Sequence, residues 1–201
     1  MAEPRVVLFC EDAGHELFTR SLLLRLGREA DANPRIEAKS AAGGHGRALD
    51  ELRAYQRAIQ RRLLDPSLPD LLVVVIDANR RGSVQREQEV RAIIDPGVFP
   101  RFVVGCPDPY VERWCFADPE AFHRVIGVSS PSTSDDRDRA TYKGLLKTTI
   151  LAAGQTIATD PMEFAPDLVK VMDLYRAGKY DVSLGRFVEA LRRELKQHPR
   201  P

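Results

Sequence analysis

Two short apolar runs that each end at a carboxylate constrain the fold of this chain more than any other feature. The first run, RVVLFC at 5–10, is followed by Glu11 and Asp12. The second run, LLVVVI at 71–76, is followed by Asp77. Continuous valine, isoleucine and leucine runs are typical of parallel strands that are buried on both faces. Acids at the carboxyl ends of such strands point into the crevice where open α/β sheets bind ligands, and gathered carboxylates suit a hard divalent cation.

Strand and helix patterns alternate through the first 125 residues. Period and composition predict strands over 5–10, 35–41, 71–76 and 101–106, and helices over 15–30, 46–64 and 83–94. This alternation predicts a doubly wound, Rossmann-like parallel sheet of about four strands. In the flavodoxin-like order 2-1-3-4, the first and third strands are neighbours at the topological switch point. Glu11 and Asp77 would then lie side by side.

The pattern changes after residue 107. Residues 109–127 look helical with a break at Pro119, a polar loop follows, and 141–196 is predicted to contain helices only. We therefore predict an α/β domain over 1–127 and a helical C-terminal extension over 128–201, packed on the same domain.

Composition narrows the class of protein. The 201 residues fit one domain, and the longest apolar run has six residues, too few for a membrane-spanning helix. The first residues lack the apolar stretch of a signal peptide, and three cysteines without CxxC spacing argue against a zinc site, so a cytoplasmic protein is expected. Nucleic-acid affinity comes mainly from lysine and arginine on phosphates. With a net charge of +1, the chain must cluster its basic residues or use a partner's basic surface.

Several side chains near the two acidic strand ends are candidates for the site. Asp77 and Asn79 are two apart on a segment predicted to be extended, so both would point to the same side and face one cation. Asp12 also suits the N-cap of the next helix, and Glu16 suits its first turn, where an acid favours the helix dipole. His15 is the one histidine that we place near the site.

Further candidates come from the second half of the chain. Glu112 and Asp118 follow the fourth predicted strand, and a solvated surface position is the alternative for Glu112. Lys143 and Lys147 are four apart and share one helix face, which is more typical of a solvated stripe than of a phosphate contact. Trp114 is predicted to pack in the core. The glycine-rich segment at 43–46 favours a simple turn over a phosphate-binding loop.

Three segments resemble the Toprim superfamily, and more closely the small OLD-type Toprim-like proteins encoded beside ATPases in bacterial anti-phage defence loci. LFCEDAGHELF at 8–18 is similar to the family's glutamate motif, and VVVIDANRRG at 73–82 is similar to its DxD motif. PYVERWCFADPEAF at 109–122 is similar to its E-x-W-x-x-A-D segment. A lysine-bearing helix near YKGLL and a closing helix like SLGRFVEALRREL also fit, so the resemblance spans nearly the whole chain.

The resemblance implies Mg²⁺- or Mn²⁺-dependent phosphodiester hydrolysis of DNA or RNA. It implies that Glu11 is a metal ligand or general base, that Asp77 is a metal ligand and that Lys143 contacts the scissile phosphate. Asn79 stands where the family's second DxD acid usually is, which argues against a two-metal site, and Glu112 would supply the missing charge. The implied partner is an AAA/ABC-type ATPase subunit, in a hetero-oligomer that acts on nucleic acid.

Two other functions remain open from the sequence. A degenerate Toprim module would bind nucleic acid or regulate its ATPase partner without cutting, as Asn79 and the modest basicity also allow. A receiver-like phosphoacceptor domain would also place acids after its first and third strands. The spacing from Glu11 to Asp77 is longer than that fold needs, and no lysine follows a clear fifth strand.

Overall fold

The computed structural model describes residues 3–40, 44–61, 68–79, 81–133 and 139–197. The strands are β1 (Arg5–Cys10), β2 (Arg35–Ser40), β3 (Leu71–Val75) and β4 (Phe102–Gly105). The helices of the first part are α1 (Ala13–Glu29), α2 (Gly44–Gln60), α3 (Ser83–Arg91), α4 (Glu112–Cys115) and α5 (Pro119–Ile126). Those of the second are α6 (Arg139–Ala152), α7 (Ala165–Val171), α8 (Leu174–Tyr180) and α9 (Val182–Lys196), with a 3-10 turn at Pro161–Phe164.

The four strands form one parallel sheet in the order β2-β1-β3-β4. The predicted α/β class, strand order and helical second half are therefore confirmed. In the pairing of β1 with β3, Cys10 lies opposite Val75, so the two strands end at the same level. The residues that follow them meet at the switch point of the sheet, where the chain turns to opposite faces.

Helices cover both faces of the sheet because alternate residues of every strand point to opposite sides. Leu8, Val73 and Val103 face the larger apolar cluster, which includes residues from α1 and from α4 through α9. Phe9 and Val74 face the smaller cluster, which is closed by α2 and α3. The C-terminal helices thus share the core of the sheet. Within the described residues, no helix has the length and apolar character needed to cross a membrane.

Close packing fixes the last helix against the sheet. Trp114 is fully buried and stacks on Phe187 of α9 at a centroid distance of 5.5 Å, as predicted for a packing residue. Phe187 in turn lies over Gly105 of β4, where an added Cβ would come within 2.8 Å of the ring. Gly178 and Gly185 let α8 and α9 cross in contact, since a Cβ on either would lie 2.8 Å from the other's backbone.

Some predicted boundaries differ from the structure. Helix α3 ends at Arg91, three residues earlier than predicted. The segment at 43–46 lies partly outside the described residues, and its described part belongs to the start of α2.

Candidate metal centre

Glu11 is placed by the end of β1. Its backbone N–H donates to the carbonyl of Val75 at 3.2 Å, which continues the pairing of β1 with β3 by one residue. Its side chain crosses to the neighbouring strand, where Oε2 accepts the backbone N–H of Asp77 at 3.1 Å. The residue is only 4% exposed. The predicted proximity of Glu11 and Asp77 at the carboxyl edge is thus observed.

Asp12 and His15 form the first turn of α1. Asp12 is extended, and its Oδ1 accepts the backbone N–H of His15 at 3.1 Å, which makes it the N-cap. The same oxygen lies 2.8 Å from Nδ1 of the His15 ring. Because a helix presents its first-turn side chains back toward its N-terminus, the cap also orients the imidazole toward the sheet edge.

The other ring nitrogen of His15 contacts Asp77. Nε2 lies 2.8 Å from Oδ1 of Asp77, and both side chains are fully buried. The same Asp77 oxygen accepts the backbone N–H of Val111 at 2.9 Å, so the segment before α4 also converges here. His15 therefore bridges a half-exposed carboxylate, Asp12, and a buried one, Asp77. Complete burial of Asp77 gives no support to the phosphoacceptor alternative, which needs an accessible carboxylate.

The charge of His15 follows from these contacts. Burial alone would lower its pKa, but the negative charge of Asp77 and the hydrogen bonds to Asp12 and Asp77 outweigh it and raise the pKa to about 10. At neutral pH the ring is therefore an imidazolium whose two N–H groups each point at a carboxylate. This cation neutralises part of the buried negative charge.

Glu11, His15 and Asp77 could also hold a metal ion together. One ligand atom from each lies within 4.8 Å of the other two, and all three residues are buried. Two carboxylates and an imidazole are a donor set that suits a divalent transition ion such as Mn²⁺. Metal ligation requires the neutral imidazole, so binding at His15 would release its proton.

Asn79 does not have the geometry that the sequence pattern suggested. The expectation of an extended segment is wrong here, because Asn79 adopts a left-handed φ of +49°. Its side-chain Nδ2 donates to the carbonyl of Asp77 at 3.3 Å, and its backbone N–H donates to Pro109 at 3.2 Å. The chain turns immediately after Asp77, so the amide is used to hold that turn. That Asn79 is a metal ligand stays a prediction, and the extended segment on which the prediction was based is not observed.

The two later acids are both buried, in different surroundings. Glu112 begins α4, is 1% exposed, and follows Val111, whose N–H reaches Asp77. Asp118 caps α5 and binds Arg176 of α8 through Oδ1 at 2.9 Å and Oδ2 at 3.1 Å. The contacts of Asp118 thus join α5 to α8, whereas Glu112 directly follows Val111, which contacts Asp77.

The remaining candidates lie on the surface. Glu16 pairs with Arg20 one turn later at 2.9 Å. Lys143 and Lys147 are exposed on the same helix, as the spacing predicted, and Lys143 forms an ion pair with Asp160. The structure therefore brings Glu11, His15 and Asp77 together. The side chains of Glu16, Lys143 and Lys147 instead contact other residues or solvent.

His15 is the residue whose role the sequence least revealed. Its spacing of four from Glu11 placed it near the site, but only the structure shows it between two carboxylates. The backbone N–H of Val111 has no sequence signal at all.

Comparisons with protein-family models, with curated proteins and with solved structures found no match to this chain.

Proposed function

We propose that this protein is a Mn²⁺- or Mg²⁺-dependent nuclease of Toprim type that hydrolyses phosphodiester bonds of DNA or RNA. The observation that carries the proposal is the buried cluster of Glu11, His15 and Asp77 at the switch point of a parallel sheet. Open α/β sheets bind their ligands at this point. The three motif segments that resemble the Toprim superfamily add support, because two of them supply Glu11 and Asp77.

In this proposal Glu11, His15 and Asp77 hold the cation. A divalent ion bound there supplies a Lewis acid for a phosphate oxygen and lowers the pKa of a water molecule. The protein's own groups orient these ligands: Val111 and Asp12 fix Asp77 and His15, and the N–H of Asp77 fixes Glu11. Such outer contacts set ligand orientation and metal affinity. The imidazole favours Mn²⁺ over Mg²⁺, which prefers an all-oxygen shell.

The substrate surface would come largely from a partner. The net charge of +1 gives this chain little non-specific affinity for a polyanion. We propose that an AAA/ABC-type ATPase subunit supplies that surface and gates the cluster in a hetero-oligomer. Lys143 contributes a phosphate contact in this scheme after it exchanges Asp160 for substrate.

The test is cleavage of supercoiled plasmid and of total RNA with Mn²⁺ or Mg²⁺, with and without the co-purified ATPase. Glu11→Gln and Asp77→Asn should each lower the rate by about 10²-fold or more, because each removes a charged ligand. Glu3→Gln is the matched control, since Glu3 precedes the amino-terminal end of β1, whereas Glu11 and Asp77 follow the carboxyl ends of their strands. Equal cleavage by all four proteins would show that the activity does not arise from this cluster.

One observation favours a second function, a module that binds nucleic acid or regulates the ATPase without cutting. His15 occupies the space between the carboxylates as a cation, and the cluster is at most 4% exposed. Calorimetric titration with Mn²⁺ separates the two functions. Binding that is lost in Asp77→Asn, with no cleavage under any condition, supports the regulatory module. Cleavage lost with binding supports the nuclease.

A further inference from the structure

Strand β4 lies at one end of the strand order and forms an edge of the sheet. Within the part of the chain that the structure describes, this strand pairs with β3 alone. The amides of Leu72 and Ile76 donate to the carbonyls of Arg101 and Gly105, each at 3.1 Å. Since successive residues of a strand direct their backbone groups to opposite sides, the N–H and C=O groups of Val104 and Cys106 point away from β3. Among the described residues these groups have no strand partner, and such an edge is a template for another strand.

A groove of about 470 Å³ lies directly on this edge. Val104 and Cys106 form its floor, one wall is α3 and the other is α9 with the end of α8. Gly178, Gly185 and Ala190 line the second wall. Helices on the two faces of the sheet thus flank the slot that a fifth strand would occupy.

Charge selects among the possible occupants. Three arginines, Arg91, Arg186 and Arg193, line the groove against two carboxylates, Glu87 and Glu189. Glu189 also pairs with an arginine outside the groove, at 3.0 Å. Glu87 accepts Nε of Arg91 at 2.8 Å and Nη2 of Arg186 at 2.7 Å, so one carboxylate serves two guanidiniums from opposite walls. The lining therefore favours an additional carboxylate.

We propose that this groove binds an extended, acidic segment of a partner protein as an added strand beside β4. The backbone of the segment would bond to Val104 and Cys106, and its acidic side chain would reach Arg91 and Arg186. Main-chain pairing gives affinity and side-chain pockets give specificity in this mode of recognition. A second copy of the chain fits less well, because the edge lies recessed, with Val104 and Cys106 each 4% exposed, and a second sheet would bring its own flanking helices.

Glu87 holds the position that the ligand's carboxylate would take. It acts as an internal competitor for the two guanidiniums, so its removal should strengthen peptide binding, whereas removal of Arg186 should weaken it. Opposite signs from two substitutions in one ion pair are a result that general destabilisation does not produce. The control is Lys196→Gln, which removes a positive charge from the last turn of the same helix at a residue that does not line the groove.

The probe is a fluorescein-labelled hexapeptide of alternating valine and glutamate, followed by fluorescence anisotropy. We expect saturable binding that tightens about threefold to tenfold in Glu87→Gln, weakens about tenfold in Arg186→Gln and is unchanged in Lys196→Gln. The valine–lysine counterpart, and the same peptide with alternate N-methyl groups, should each bind at least about tenfold more weakly. Circular dichroism confirms that each variant is folded.

Two results would overturn the inference. The first is equal or absent binding of the acidic, basic and N-methylated peptides by the wild type and by Glu87→Gln. The second is a dimer in sedimentation equilibrium that Arg186→Gln dissociates, because that would assign the groove to a second copy of this chain. None of these measurements depends on metal or cleavage, so they stand apart from the test of the nuclease.

Discussion

His15→Gln tests the electrostatics of the centre most directly. Glutamine keeps a hydrogen-bond donor but removes the positive charge between Asp12 and Asp77. Removal of one partner from a buried ion pair typically costs about 3–5 kcal/mol. The upward pKa shift of His15, from 6.5 to about 10, corresponds to a similar quantity, on the order of 5 kcal/mol at about 1.4 kcal/mol per unit. We therefore expect His15→Gln to unfold about 3–5 kcal/mol more easily below pH 6.5.

The pH dependence of that difference has a definite sign. The folded pKa lies above the unfolded value, so the stabilisation is complete below pH 6.5, declines as the pH rises and is lost through about pH 10. Urea unfolding of both proteins in a chelator, at several pH values from 6 to about 10.5, measures it, since other titrating groups cancel in the difference. A difference that stays constant over this range would refute an imidazolium between the two carboxylates.

Three other predictions concern the scaffold. Gly185→Ala should lower the free energy of unfolding by about 1–3 kcal/mol, because its Cβ would meet the backbone of Gly178. Gly144→Ala has open space around the added Cβ and should raise the free energy of unfolding by about 0.5–1 kcal/mol. Urea unfolding measures both changes. Burial alone would raise the pKa of Asp118, but hydrogen bonds from Arg176 and the backbone lower it, so its stabilisation is present above pH 3.8 and lost at lower pH. Asp118→Asn should remove this pH-dependent contribution to the free energy of unfolding. Acid unfolding curves with the same pH dependence in the variant and in the wild type would contradict the prediction. Cys10 and Cys115 are fully buried, so an aromatic disulfide reagent should label them at the rate of unfolding, and their immediate labelling in the native protein would argue against this burial.

The sequence predicted the sheet because its signals are local and redundant. Apolar runs fixed the strands, their alternation with helices fixed the parallel order, and the acids that follow β1 and β3 then had to meet. The failure at Asn79 has a specific cause: one left-handed residue ends an extended segment, and apolar periodicity carries no information about a single φ angle. Asparagine tolerates that conformation better than most residues, which was the available signal.

Contacts between distant parts of the chain were beyond prediction for a different reason. Asp118 caps α5, which has a proline in its first turn. Its partner Arg176 lies 58 residues later, and nothing in either segment specifies the pairing. The same holds for Val111, whose N–H reaches Asp77 across 34 residues. Sequence patterns thus indicated which side chains belong to the centre but not which groups orient them.

The centre and the proposed peptide groove are joined by one segment of backbone. Strand β4 forms the floor of the groove, and the chain that leaves it bonds to the residues after β3: Pro107 accepts the N–H of Ala78 at 2.8 Å. Further along, Val111 donates to Asp77 itself. Any change in metal affinity that a bound peptide causes through this segment has to appear, by linkage, as an equal change in peptide affinity when metal binds. Anisotropy titrations with and without Mn²⁺, repeated in Asp77→Asn, would measure that coupling, and a factor of one would show that the groove and the centre act independently.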